Sequence, residues 1–427
     1  MAWENPYRQS KFMELLCLSN GHGEDVIAVR ILAQLHQQLP TCKIAALPIV
    51  GTGQAYSRAG IQIAGPVQQM PSGGFIYLDG GKQAWRDLRG GLAQLTWQQW
   101  QAVRHWPGKI LAVGDIVPLA FAWGSNRDYA FVGTAKSEYY LRQESGAWLP
   151  QTPWFDRRLG GVYLPWERWL LRRQRCKGIF PRDRLTTEIL QQQGIPAADL
   201  GNPMMDAIAP EFPTNPELDT LKILLLPGSR PSEAVRNWQP ILTAVASILD
   251  TFSARSITFL GAIAPGISLK TLATALPATW QPVTSAPKPI ADPDAWVFQV
   301  AQRKCPARLQ LTQKAYHSCL RLADVAIAMA GTATEQFVGL GKPAFTFAGT
   351  GPQFVEAFAE AQSRHLGAAI IFVESPQAVA IALQELLADS ERLAHIASVG
   401  RQRLGPPGAA ERIATRVSQQ LLGMAFE

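Results

Sequence analysis

The sequence predicts an α/β protein of two domains, each a mostly parallel sheet covered by helices, and three observations predict it. Apolar runs end abruptly in small residues with polar groups at the exit. This happens at Met13 to Leu18 before Ser19-Asn20-Gly21-His22-Gly23-Glu24-Asp25, at Ile223 to Leu226 before Pro227-Gly228-Ser229-Arg230, and at Val325 to Met329 before Ala330-Gly331-Thr332-Ala333-Thr334-Glu335. Such runs recur in both halves with helical segments between some of them, as buried parallel strands require. Between the halves, Ala209-Pro210-Glu211-Phe212-Pro213-Thr214-Asn215-Pro216 carries three prolines, which forbid a continuous helix or a central strand and suit a linker.

In chain order, the first run turns through its glycines into a helix whose apolar positions Val26, Ile27, Ile31, Leu32 and Leu35 keep helical spacing. Strand candidates follow at Lys43 to Val50, Ile110 to Val113 and Tyr129 to Val132. The second half offers Ile223 to Leu226, Ile257 to Leu260, Val325 to Met329, Ala344 to Phe347 and Ile370 to Phe372. Residues 1–208 thus form an N-terminal Rossmann-like domain and 209–427 a C-terminal one, with the final helix free to cross back to the first. Two such halves imply an interdomain cleft that takes a ligand from each side.

The 427 residues exceed one ordinary core. With 47% hydrophobic and 17% charged residues, the composition excludes a disordered chain. A formal net charge of +7 favours an anionic partner: nucleic acid, a membrane surface or a phosphorylated substrate. Cys17, Cys42, Cys176, Cys305 and Cys319 are scattered without metal-ligand spacing, which fits a reducing cytoplasm and no zinc site. The first ten residues lack a basic region followed by an apolar core, so no signal peptide is expected. The longest apolar stretch, Ile110 to Gly124, is interrupted by Asp115 and Pro118 and falls short of the roughly 20 residues that span a bilayer.

In open α/β sheets ligands sit beyond the carboxyl ends of the strands, where the next helix presents free N–H groups to an anion. The two glycine-containing exits of the C-terminal half therefore propose a nucleotide diphosphate site. Gly228, Ser229, Gly331, Thr332 and Ala333 offer close backbone approach. Arg230 offers a permanently charged fork to phosphate, and Glu335, one turn into its helix, accepts two hydroxyl hydrogen bonds from a ribose. The structural alternatives are a surface arginine after a tight turn and an acid that only favours a helix start.

These residues resemble a known family. Leu226-Pro227-Gly228-Ser229-Arg230 with Glu233, Gly201-Asn202-Pro203 with Asp206, and Ala323-Asp324 followed by Gly331-Thr332-Ala333-Thr334-Glu335 match in order and spacing the lipid A disaccharide synthases. These are inverting glycosyltransferases of the two-domain GT-B class, and the match is closer to an uncharacterised group related to that synthase. The resemblance implies a UDP-sugar donor on the C-terminal domain, a lipid or lipid-linked acceptor on the N-terminal one, no further cofactor, and a carboxylate base on an N-domain loop. Asp115 in Ala112-Val113-Gly114-Asp115 matches that position best. The N-terminal turn departs from the family's order of residues.

Asn20, Gly21, Gly23 and Glu24 form a loop for the acceptor or for phosphate, and His22 beside them binds phosphate or takes a proton. A plain helix-start turn is the alternative. Asp115 is open to two roles, base or helix cap. Asp292-Pro293-Asp294 is a chance match to a metal motif in a proline-rich loop, and no metal is expected. From Ala147 to Arg184, Trp148, Trp154, Trp166 and Trp169 stand among Arg172, Arg173 and other basic residues. That pattern suits an anionic membrane surface or a solvated basic face, and nucleic acid is not expected, since no recognition motif accompanies the aromatics. Trp97 and Trp100, with Phe75, Ile76 and Leu78, offer a further patch for an acyl chain.

The expected function is transfer of a sugar from a UDP-sugar to a lipid acceptor, by a cytoplasmic enzyme peripheral on the inner membrane face. A UDP-sugar 2-epimerase and a non-catalytic nucleotide-sugar or lipid-binding protein are the alternatives.

Overall fold

The computed structural model describes residues 13–68, 92–206, 208, 212, 220–283, 288–349 and 356–424. Phe75, Ile76, Leu78 and all of Ala209–Pro216 except Phe212 lie outside them. Two compact units emerge, one of Met1–Asp206 with Gly405–Glu427 and one of Ala207–Leu404.

In the first unit, β1 (Glu14–Ser19), β2 (Lys43–Pro48), β3 (Gln62–Ile63), β4 (Lys109–Gly114), β5 (Tyr129–Gly133) and β6 (Cys176–Phe180) pair in the order β3-β2-β1-β4-β5-β6. Every pair is parallel. Alternate residues serve opposite faces, as the two-residue period of a strand demands. Leu15, Cys17, Leu111 and Val113 pack with Ile27, Ile31 and Leu35 of the helix His22–Gln38. Leu16, Leu18, Ile110 and Ala112 pack with Leu119 and Ala122 of the helix Ile116–Gly124 on the other face. Val26, expected on the apolar stripe, is exposed.

The C-terminal segment completes the first of these faces. The helix Ala409–Arg416 buries Ile413 and Ala414, and Val417 and Leu421 follow into the same core. Burial of each larger side chain contributes about 1.5–3 kcal/mol. Asp206 fixes the start of that helix: Oδ1 accepts from the N–H of Gly408 at 2.6 Å and of Ala409 at 3.1 Å, and Oδ2 from that of Ala410 at 2.6 Å. The carboxylate thus satisfies donors that a helix start leaves over and meets the positive end of its dipole. Gly201, at φ +80°, makes room here, because a Cβ would lie 2.9 Å from the guanidinium of Arg412.

In the second unit, β7 (Leu221–Leu226), β8 (Ile257–Ala262), β9 (Trp280–Pro282), β10 (Trp296–Val300), β11 (Ala307–Thr312), β12 (Val325–Ala328), β13 (Ala344–Thr346) and β14 (Ile370–Phe372) pair in the order β14-β13-β12-β7-β8-β11-β10-β9. The pairs are parallel except β11 with β10 and β10 with β9. The sequence reading did not assign β3, β6, β9, β10 or β11. Within β11, Gln310 is fully buried and exchanges two hydrogen bonds with the backbone of Ile290, at 3.0 and 2.9 Å. Asp292 and Asp294 are committed to Thr312 and Lys314 respectively.

Beneath the start of the first helix, Asp25 is buried and accepts from Ser19 Oγ at 2.6 Å, while Tyr56 Oη donates to the same Ser19 oxygen at 2.7 Å. Burial pushes the Asp25 carboxyl up from 3.8 to about 6, against the opposing pull of the Ser19 hydrogen bond.

Two expectations follow from these carboxylates. Asp206→Ala leaves three N–H groups without their acceptor and should cost about 2–4 kcal/mol in urea unfolding followed by tryptophan fluorescence. An unchanged midpoint would show that the C-terminal segment is held by packing alone. Asp25 has a raised folded pKa, so the wild type loses stability as pH rises from about 4 to 6 and stays lower above that window. Asp25→Asn escapes the loss. Its stability relative to wild type should therefore be about 3 kcal/mol more favourable at pH 8 than at pH 4; equal differences at both pH values would refute a buried ionising Asp25.

Candidate functional site

In both sheets the chain reverses direction across one pair of neighbours. From β1 it winds outward through β2 and then returns to β4 on the other side; from β7 it winds through β8 and β11 and returns to β12. Beyond such a pair the connecting helices diverge and leave a crevice at the carboxyl ends of the strands.

In the second unit the crevice lies between the exits of β7 and β12, which are hydrogen-bonded neighbours up to Leu226 and Ala328. Gly228 has φ +106°, and a Cβ there would lie 3.2 Å from the carbonyl of Met329. Glycine is thus required twice, for the backbone angle and for the approach of the two exits. Asn237 Nδ2 donates to Pro227 O at 2.9 Å and holds the first turn from behind. Arg230 is the N-cap residue of the helix Pro231–Thr251, with Pro231 in its first turn.

The second turn is held equally firmly. Gly331 precedes the helix Thr332–Gly339, and Thr334 Oγ1 donates to Ala330 O at 2.6 Å. Gln362 Nε2 reaches the same carbonyl at 2.9 Å. Glu335, largely buried, stands in the first turn with His365 Nε2 at 3.8 Å from its Oε1. The structure thus brings Gly228, Ser229 and Arg230 onto one strand exit and Gly331, Thr332, Ala333 and Glu335 onto its neighbour. Two helix starts and a guanidinium make this a place for an anion.

In the first unit the crevice gathers different chemistry. Asn20, leaving β1, donates through Nδ2 to Asp115 Oδ1 at 2.7 Å, bridging to the exit of β4. The same Asp115 oxygen accepts from the N–H of Val117 at 2.8 Å, so Asp115 caps the helix Ile116–Gly124 whatever else it does. Gly114 has φ +137°, and a Cβ there would lie 2.2 Å from Asn20 Oδ1. At Gly21 the backbone is merely extended, with φ 174°, yet a Cβ would meet Glu24 Oε2 at 2.3 Å. A side chain here would displace the Glu24 carboxylate from its place. Glu24 Oε1 also accepts from Thr134 Oγ1, at the exit of β5, at 3.3 Å.

Burial pushes the Glu24 carboxyl above the usual range and the negative charge of Asp115 adds to this, while its own backbone N–H, Thr134 and Arg182 pull the other way. His22 and Gly23 are exposed on the same turn, the His22 ring lying against Gly51. Asn20, Gly21, Glu24 and Asp115 are therefore brought together, with His22 at their rim. Sequence reasoning missed Thr134, which follows β5, and read Arg182, which follows β6, only as part of the basic aromatic segment. Treating every strand exit alike would have found Thr134.

The basic aromatic segment divides. Trp154 is 74% exposed and Trp166 57%, on the short helices Trp154–Leu159 and Pro165–Leu171, and Phe155 and Trp169 are exposed beside them. Trp148 is half-buried, with the Arg142 guanidinium stacked 3.4 Å from its ring centroid. Arg173 stacks on Trp169 at 4.0 Å, and exposed Arg172 donates to the carbonyl of Gln193. Arg157 and Arg168 tie loop carbonyls, and Arg182 is buried, so part of this charge is structural.

No protein-family model matches the chain, and no curated protein does. Solved structures resemble it along nearly its whole length. CalG4, the calicheamicin glycosyltransferase, is similar at 14% identity over 98% of this chain and 100% of that one, with a TM-score of 0.58. MnaA of S. aureus, solved with UDP, is similar at 14% identity over 97% and 99%, TM-score 0.56. MurG of Acinetobacter baumannii follows at 13% over 95% and 99%, TM-score 0.54. Likeness at this identity speaks for the fold, and the fold is the two-domain GT-B α/β architecture, each domain Rossmann-like.

Proposed function

We propose that the protein is a glycosyltransferase that moves a sugar from a UDP-sugar to a lipid or lipid-linked acceptor, and that it belongs with the relatives of lipid A disaccharide synthase. The observation that carries this reading is the pairing of the Gly228–Arg230 and Gly331–Glu335 turns on adjacent strand exits. Backbone N–H groups of Gly228, Ser229, Thr332 and Ala333 and the Arg230 fork receive the diphosphate, and Glu335 accepts the ribose hydroxyls. As UDP departs, the bond from the anomeric carbon to the phosphate oxygen breaks, and Arg230 neutralises the charge that oxygen gains. Asp115 takes the proton of the acceptor hydroxyl while that oxygen bonds to the anomeric carbon. The reading calls on no metal or other cofactor.

The exposed Trp154, Phe155, Trp166 and Trp169, with Arg172 and Arg173 nearby, support a peripheral seat on the anionic, cytoplasmic face of a membrane. That seat suits a lipid acceptor. A second reading, a UDP-sugar 2-epimerase, is favoured by one observation: Glu24 and Asp115 put two carboxyls in one crevice, as proton removal and return at a sugar carbon require. A putative UDP-N-acetylglucosamine 2-epimerase from Listeria monocytogenes also shares the fold, at 13% identity over 97% of this chain and 98% of that one, TM-score 0.51.

Calorimetry and product analysis test the transferase. Glu335→Ala should weaken UDP binding by about 1.5–3 kcal/mol through loss of charged hydrogen bonds. Asp115→Asn should leave UDP affinity nearly intact and cut turnover by roughly 10²–10⁴-fold. His22→Ala, by contrast, should act chiefly on substrate affinity. If turnover survives in Asp115→Asn and is lost in His22→Ala, the two roles are reversed; if the product is an epimerised UDP-sugar formed without acceptor, the epimerase reading replaces this one.

For the membrane seat, the protein should sediment with vesicles containing anionic lipid and be released by salt, since such attraction is screened within about 8–10 Å. Equal binding to neutral vesicles would remove the electrostatic part, and binding to neither would remove the seat.

A further inference from the structure

The helix Glu356–Leu366 forms a back wall to the β12 turn. It sets Gln362 and His365 three residues apart, hence on one face. Gln362, 4% exposed, donates to the carbonyls of Ala330 and Gly331 at 2.9 and 3.4 Å. His365, 1% exposed, places Nε2 3.8 Å from Glu335 Oε1. One helix thus holds the backbone of the turn with an amide and faces its carboxylate with an imidazole. We propose that His365 is a positioning residue for Glu335 and makes nucleotide binding depend on pH.

The sign follows from the geometry. Neutral His365 leaves the Glu335 carboxylate to accept the ribose hydroxyls. A proton on His365 puts a cation against Oε1 inside a buried site, where the ion pair draws that oxygen inward and lowers its power to accept. Other charges nearby are Arg403, from the helix Ser390–Leu404, which donates to the carbonyls of Arg364 and His365 at 2.6 and 2.8 Å, and Arg364, paired with Glu360 at 3.6 Å. Arg403 opposes the protonation of His365 and Glu335 favours it. Nucleotide affinity therefore falls as His365 gains its proton. By linkage, bound nucleotide shifts the titration of His365 to lower pH.

This inference rests on reading Glu335 as the ribose acceptor, and the test separates the two. UDP is titrated into the wild type and His365→Gln from about pH 5 to 8, where an imidazole changes charge. The phosphates of UDP titrate alike in both experiments, so the ratio of the two dissociation constants is the quantity read. The wild type should weaken relative to the variant by about fivefold at the acid end, a modest coupling. Parallel profiles, or a wild type that gains on the variant in acid, overturn the proposal. Gln362→Leu removes the grip on the turn without removing an ionising group and should weaken UDP by one factor at every pH; if it flattens the profile as His365→Gln does, the coupling does not belong to His365. Should His365→Gln not fold, the His365 ring resonance of the wild type, followed by NMR with and without UDP, must move its titration to lower pH, and no movement overturns the proposal. A wild type that binds no UDP at any pH overturns the donor reading and this inference with it, whereas binding with parallel profiles overturns the inference alone.

Discussion

The close approach of two neighbouring strand exits is the constraint on which both halves of this protein depend. At each reversal of winding, the chain must leave two adjacent parallel strands toward opposite sides, and the exits crowd one another before they diverge. Gly114 relieves the crowding against Asn20, where a Cβ would stand 2.2 Å from Oδ1. Gly228 relieves it against Met329 O, where a Cβ would stand at 3.2 Å. A larger residue would have to displace the Asn20 amide in one unit and crowd a backbone carbonyl in the other, and in both units the backbone angle is one that L side chains rarely adopt. Asp115, the proposed base, and Ser229 and Arg230, the proposed phosphate residues, directly follow these glycines, so their positions are set by sheet geometry more than by loop sequence.

This is why much of the fold and part of the site could be read from the sequence. Central parallel strands are buried on both faces and appear as unbroken apolar runs, which made β1, β2, β4, β5, β7, β8, β12 and β13 visible. Of the edge strands only β14 carries such a run, as Ile370-Ile371-Phe372. β9 and β10 extend the second sheet antiparallel to it, and Trp296 of β10 is exposed. β11 hides behind Arg308 and Gln310, although Leu309 and Leu311, alternating with them, show the two-residue period of a strand. β6 was masked by the arginines and tryptophans before it.

Pairings across the chain were beyond local pattern. Strand exits pointed to Asn20 and to Asp115 separately, yet their hydrogen bond spans 95 residues. That the final helix is free to cross back to the first domain could be expected, but not which face it covers, and the contact of Gln38 with Thr415, 377 positions apart, illustrates that face. His365 carries no signal in its own segment, because its partner Glu335 lies on another helix.

Charge distinguishes the two crevices. The chain has a formal net charge of +7, yet the crevice of its first unit collects Glu24 and Asp115, with Asp25 buried beneath it. Burial lifts Glu24 and Asp25 above their usual range, and the ionised Asp115 makes ionisation of Glu24 harder still. Carboxyls held at such a cost are a poor cradle for phosphate, whose charge they would repel, and a good one for hydroxyl groups and mobile protons. Between the two roles open to the Asn20–Glu24 loop, acceptor or phosphate, the electrostatics therefore favour the acceptor. Phosphate is better served in the second unit, where Arg230 and two helix starts stand at the exits of neighbouring strands.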